Sequence, residues 1–259
     1  MQVILQFLPN FMLVFCRITA FFVVVPIFSS RGVPVQFKVG IAFFVSLLIF
    51  LSLGEQQAIE VDGDYVLSII KETLLGLLIG FVAYLFFTVV QIAGSFIDMQ
   101  LGFGIANVID PMTGAQSPIF GNFKFILAML LFLSINGHHY LLLAIMKSYE
   151  WAPLDHDLFL HIQSGNLADF LIHTLSSVFY LAFQMAAPLI VSLFLVDVSL
   201  GILARTVPQL NIFVVGIPIK IIIGLLILSI IIPSFLFLFQ DLFKTMFEAI
   251  HQILLRIQK

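Results

Sequence analysis

The sequence predicts an all-α membrane protein, and three observations carry that expectation. Hydrophobic residues make up 61% of the 259-residue chain and charged residues 10%, against about 45–50% and about 25% in a soluble globular domain. Mean hydropathy is +1.18, and thirty residues are Phe. The apolar residues gather in stretches near the roughly 20 residues that a helix needs to cross a hydrocarbon core of about 30 Å. So few charges cannot cover a folded surface in water, which excludes a free soluble enzyme. A single cysteine, Cys16, excludes an internal disulfide scaffold. The net charge of −3 comes with scattered Lys and Arg, so there is no basic patch for a run of phosphates and no nucleic-acid partner is expected.

Six stretches meet or approach the spanning length: 3–28, 40–53, 73–93, 125–145, 175–196 and 212–239. The second is short for a full span and the last is long. Residues 1–10 carry no Lys or Arg, the first charge is Arg17 inside the apolar run, and no A-x-A site follows. The first stretch is therefore expected to stay in the mature protein. Between the stretches lie the breakers and most of the charge. Segment 29–38 holds Arg31, Gly32 and Pro34, and 54–72 holds Glu55, Glu60, Asp62 and Asp64. Segment 94–124 is rich in Gly and Pro, 147–174 is acidic with His156, His161 and His173, and 199–211 is short and polar. The tail 240–259 places Leu242, Phe243, Met246, Phe247, Ile250, Ile253, Leu254 and Ile257 at helical spacing. An interfacial helix and a helix packed on a partner both fit it. Positive charge does not orient the chain. With six spans, Lys71, Lys147, Lys244, Arg256 and Lys259 fall on one side, and Arg31, Lys38, Lys124 and Arg205 on the other. That balance suggests helices buried in a protein assembly rather than in lipid alone.

Motifs for catalysis, metal or cofactor are missing: there is no H-E-x-x-H, Cys pair, Walker loop or G-x-S-x-G. Adjacent His138 and His139 point about 100° apart on a helix and do not chelate together. No enzyme, cofactor or metal site is expected. Ionisable groups in apolar stretches do stand out: Arg17, Asp98 and Asp197. A proton or ion relay and a satisfied structural pair are both open readings, although a relay usually gathers several acids in one cavity.

The segment 102–122 reads GFGIANVIDPMTGAQSPIFGN. Gly102, Gly104, Gly114, Gly121, Pro111 and Pro118 prevent a regular helix, yet Phe103, Ile105, Val108, Ile109, Met112, Ile119 and Phe120 make it apolar. Irregular backbone at membrane depth must be buried in protein or line a cavity. An interface loop and a hydrophobic constriction within a conduit both satisfy that condition. In the last polar run, Pro208 is expected to end one helix and Asn211 to cap the next. Arg205 lies about two helical turns after Asp197, too far for a direct pair, so each should have a partner elsewhere.

That run, from Asp197 to Lys220, fills every fixed position of D-x-x-L-G-x-x-x-R-x-x-P-Q-x-N-x-F-x-x-G-x-P-x-K. It resembles the FliR family, the flagellar counterpart of the R/T export-gate subunits of type III secretion systems. Arg17, Pro26-x-Phe28, Pro34, Lys38, Glu72-x3-Gly76-x3-Gly80, Ala93-Gly94, Asp98, Gly102, Asp110-Pro111 and Asn136-Gly137-His138 agree with it in order. The resemblance covers 1–259 as a single export-gate domain and favours the flagellar branch. It implies a fold like a FliP-type part joined to a FliQ-type helical hairpin, in a helical assembly partly above the membrane plane. It implies one copy of the chain among FliP-like and FliQ-like subunits, beside an FlhB-like subunit, in the basal body of the bacterial inner membrane. That gate passes unfolded rod, hook and filament proteins, with energy from a partner ATPase and the proton motive force.

By the same resemblance, 102–122 is a pore plug. Its residues would be Gly102, Phe103, Gly104, Ile105, Val108, Ile109, Asp110, Pro111, Met112, Gly114, Ile119 and Phe120. Arg17, Asp98, Asp197, Arg205, Pro208, Gln209, Asn211, Gly216, Pro218 and Lys220 would hold helices in register during assembly. The alternatives are a stand-alone secondary transporter, which needs convergent polar groups at broken helices, and an assembly scaffold with no pore contact.

Overall fold

The computed structural model describes residues 2–30, 32–53, 59, 62–103, 118–154, 166–209 and 211–258. Among them the regular structure is helical, with no strand. The helices are α1 (Gln2–Val24), α2 (Pro26–Ser29), α3 (Val35–Ser52), α4 (Gly63–Leu101), α5 (Ile119–Ser134), α6 (Gly137–Trp151), α7 (Asn166–Thr206) and α8 (Ile212–Gln258). Five of these are long and apolar enough to cross a membrane, and α5 with α6 would make a sixth if the broken pair is one span. The chain is an all-α membrane protein.

Local chemistry moves several boundaries away from the sequence expectation. The first stretch breaks at Val25, whose extended backbone precedes Pro26 at the start of α2. The second is a full 18 residues rather than a short one, because α3 starts straight after Pro34. Lys38 is tolerated in its first turn by donating its ammonium to Ser30 O at 2.9 Å. The third reaches 39 residues. Its start lies in the segment expected to be a linker, where Asp62 Oδ1 accepts the N–H groups of Asp64 and Tyr65 at 3.1 and 3.2 Å and so caps α4. The fourth stretch is not continuous. Asn136 sits at φ 57°, ψ 29°, a left-handed conformation that Asn adopts more readily than most residues, and it separates α5 from α6. The tail is not a separate element either, since α8 runs unbroken for 47 residues.

Pro188 lies within α7, and Pro218 and Pro233 within α8; such prolines are tolerated in membrane helices where neighbouring groups re-satisfy the freed carbonyls. Ser192 Oγ donates to Pro188 O at 2.7 Å, the carbonyl four residues before the serine and not the one that Pro188 frees. Ser46 and Ser229 likewise donate to the carbonyl four residues back, as packing serines in membrane helices do. At 1.5 Å per residue α8 is about 70 Å long, more than twice the hydrocarbon thickness of about 30 Å. Part of it therefore extends beyond that layer.

The chain divides into two compact units. The first comprises Met1–Leu85, Asn136–Leu175 and Lys244–Lys259. In it α1 packs on α3 through edge-to-face rings, Phe11 with Phe43 at 5.5 Å and with Phe50 at 5.9 Å. The buried face of its α8 portion is Met246, Ile250, Ile253, Leu254 and Ile257. This face is buried within the first unit, and beside it Phe247 meets Tyr140 and His251 meets Trp151 of α6. The second unit comprises Phe86–Ile135 and Ser176–Phe243. Its core is organised around Phe87, Phe132 and Phe243, whose ring centroids lie 4.8–5.5 Å apart. Burial is uneven. The apolar window of α4 is 61% buried and those of α3, α7 and α8 only 17% each, so these three helices present apolar side chains outward to lipid or to other proteins.

Candidate functional site

In the first unit, Arg17 has no exposed surface, and neither has Glu72. Its Nε donates to Glu72 Oε2 at 2.5 Å and its Nη2 to Glu72 Oε1 at 2.9 Å, a bidentate pair between α1 and α4. The remaining donors reach Ser148 Oγ at 3.0 Å and Ala152 O at 2.8 Å on the α6 side. The Tyr149 ring covers the guanidinium, with its centroid at 3.9 Å, and Tyr149 Oη donates back to Val14 O. Lys71 Nζ donates to Leu154 O and lies 3.7 Å from Glu72. Arg17 is thus a cross-link of three helices, with four of its five N–H donors bonded among the described residues. Gly76 makes the approach possible, because a Cβ there would collide with the Arg17 carbonyl.

In the second unit, the connection from α4 to α5 is fastened at its stem. Helix α4 ends in a Schellman motif: Gly102 takes φ 89°, its N–H donates to Met99 O, and the Phe103 N–H donates to Asp98 O at 3.0 Å. The Asp98 side chain turns to the other end of the connection. Its carboxylate accepts the N–H of Phe120 at 3.1 and 3.2 Å and that of Gly121 at 3.4 Å, capping α5. The rings of Phe103 and Phe120 lie 6.0 Å apart. Gly94 and Gly121 let the two backbones approach closely, since a Cβ on Gly94 would collide with the Gly121 backbone. Of the expected plug residues, Gly102, Phe103, Ile119 and Phe120 therefore sit at this stem. Gly104, Ile105, Val108, Ile109, Asp110, Pro111, Met112 and Gly114 lie outside the described residues, as does Arg31.

Asp197 and Lys220 come together between α7 and α8 at 2.8 Å, and Gln100 Nε2 of α4 donates to the same carboxylate at 3.0 Å. Arg205 does not join them. It is exposed in the last turn of α7. Pro208, Gln209 and Asn211 are exposed in the connection to α8, where Asn211 O accepts from Val214 and Val215. Gly216 is buried and Pro218 exposed. Among the described residues no three His, Cys, Asp or Glu side chains gather as metal ligands.

The partners that sequence reading left unassigned are Glu72, Ser148, Tyr149, Gln100, Lys124 and Phe235. Lys71-Glu72 at the edge of an apolar stretch was a signal for the first of these. Lys124 gave none, because it falls in a segment expected to be a loop.

The model of the family described as bacterial export proteins, family 1, matches residues 8–246. The chain is 44% identical over 254 residues to the flagellar biosynthetic protein FliR of Bacillus subtilis strain 168, covering 98% of each chain. It is 29% identical over 244 residues to FliR of Escherichia coli K12, covering 92% of this chain and 90% of the other. To the Yop proteins translocation protein T of Yersinia pestis it is 32% identical over 225 residues, covering 86% of this chain and 85% of the other. The family model and the Bacillus match both span Arg17, Asp98 and the Asp197–Lys220 run, and the chain belongs to the FliR family of bacterial export proteins, family 1.

Proposed function

We propose that this chain is a subunit of the flagellar type III export gate and that it forms, with FliP-like and FliQ-like subunits, the channel through which unfolded rod, hook and filament proteins leave the cytoplasm. Membership of the family makes it a membrane component of a type III export apparatus. The finer reading is carried by the 44% identity to a flagellar FliR along nearly the whole of both chains. In this reading the whole chain, 1–259, acts as one export-gate module in the bacterial inner membrane, at the flagellar basal body, beside an FlhB-like subunit. A FliP-type part is joined to a FliQ-type hairpin of α7 and α8, whose outward apolar faces and lengths beyond the bilayer core suit an assembly that rises above the membrane plane. The chain carries out no catalysis. Its part is to make a path and to close it.

Closure is assigned to the plug segment 102–122. An apolar, glycine-rich connection excludes water and ions when it occupies a conduit, because desolvating an ion against Phe, Ile, Val and Met side chains is unfavourable. The stem geometry supports this reading, since a stopper must be held at its base, and Asp98, Gly94, Gly102 and Gly121 provide that hold. Arg17, Asp197, Lys220 and the α7–α8 connection keep helices in register for assembly. Shortening the segment Gly104–Gln116 in the assembled complex tests the assignment. Increased leakage of ions through the membrane is expected; unchanged tightness with normal assembly overturns it.

A further inference from the structure

Close to the Asp98 stem lies a charge that the export reading does not use. Lys124, one turn into α5, is 2% exposed, and among the described residues its Nζ has no hydrogen-bond acceptor. The ammonium lies 3.7 Å from the centroid of the Phe235 ring on α8, on the electron-rich face that attracts cations. Asp98, itself 6% exposed, is committed to the Phe120 and Gly121 N–H groups and lies within Coulombic reach of Lys124 without forming a contact pair. A buried ammonium with no acceptor is costly, and a Met would fill the same space without that cost. A buried carboxylate is costly too, unless a positive charge accompanies it.

We propose that Asp98 and Lys124 are coupled positioning residues for the α4–α5 connection. Asp98 fastens the last turn of α4 to the first turn of α5. Lys124 supplies the positive charge that lets a carboxylate serve as that fastening in an apolar interior. Phe235 receives the ammonium and ties the stem to α8. The consequence for ion tightness rests on the plug reading given above, whereas the coupling itself does not.

The test compares Asp98→Asn, Lys124→Met and the double variant in the complete membrane complex, reading accumulation of the chain and leakage separately. Asn keeps an acceptor for the N–H groups but leaves Lys124 without a countercharge. Asp98→Asn alone should lower accumulation by about fivefold or more, and the double variant should return to within about twofold of the parent, because removing both charges leaves none stranded. A double variant no better than Asp98→Asn overturns the coupling. Phe235→Leu should lower accumulation and Phe235→Tyr should not; equal effects of the two overturn the role of the ring. Leakage separates the two proposals. If accumulation is rescued but neither Asp98→Asn nor the shortened segment leaks, the coupling stands and the plug assignment falls. If the shortened segment leaks and no rescue occurs, the plug assignment stands and the coupling falls.

Discussion

Replacing Glu72 with Ala tests how far the Arg17 cross-link holds the first unit together. In the native chain the guanidinium is fully buried and makes four hydrogen bonds, two of them to the Glu72 carboxylate. Glu72→Ala leaves Ser148 Oγ, Ala152 O and the Tyr149 ring in place but strands a full positive charge. Stranding one partner of a buried pair costs about 3–5 kcal/mol, a factor of roughly 10² to 4 × 10³ in the folded population. Domains are stable by only about 5–15 kcal/mol, so a loss of this size is a large fraction of the whole. Replacing both partners, as Arg17→Met with Glu72→Leu, removes the stranded guanidinium and leaves Lys71 its bond to Leu154 O, so most of the loss should be recovered, apolar replacement of a buried pair often being neutral. The assay is the amount of full-length chain in membranes together with its proteolytic half-life in the assembled complex. The single variant should fall sharply in both and the double variant should regain much of the loss. Parental values for Glu72→Ala, or a double variant as poor as the single, would refute the reasoning.

Gly76→Ala should be worse than Gly80→Ala. A Cβ at 76 collides with the Arg17 backbone, whereas at 80 the nearest atoms are 3.1 and 3.2 Å away. Overpacking of the first kind costs about 1–3 kcal/mol, and thermal inactivation in detergent would rank the two. Asn136→Gly should be tolerated and Asn136→Val should cost about 1–2 kcal/mol, because position 136 is held left-handed between α5 and α6; accumulation of the two variants measures the difference. Lys220→Gln should cost about 1 kcal/mol or less, since the Asp197 side chain is 40% exposed and keeps Gln100 as donor. A large thermal shift in that variant would mean that the α7–α8 pair carries more of the fold than its exposure suggests.

The helical membrane fold was legible because composition and the apolar stretches report it directly, and every expected stretch contains helix. The break at Asn136 was legible in the polar Asn136-Gly137-His138-His139 patch, a turn signal, but the apolar residues on both sides read as one stretch and masked it. The start of α4 was hidden for the opposite reason: Asp62 and Asp64 look like linker residues until a carboxylate is seen capping backbone N–H groups. Periodicity in the tail identified the buried face but not its neighbours, since α6, which meets Phe247 and His251 beside it, is about a hundred residues away in sequence. The candidate site divides similarly. Arg17, Asp98 and Asp197 stood out as charges in apolar surroundings, but Glu72 is 55 positions from Arg17 and Lys220 is 23 from Asp197, separations that no local spacing rule connects. Lys124 was hidden because Pro118 starts a helix inside a stretch whose glycines and prolines read as loop.

The central claim is that this chain works as one member of a mixed gate rather than alone. Co-purification of the tagged chain in detergent with its FliP-like and FliQ-like neighbours, followed by native mass measurement, tests it most directly. The account predicts a complex holding one copy of this chain and several of each partner. A stable monomer or a symmetric homodimer would contradict it and would move attention to a transporter built around Asp197 and Lys220.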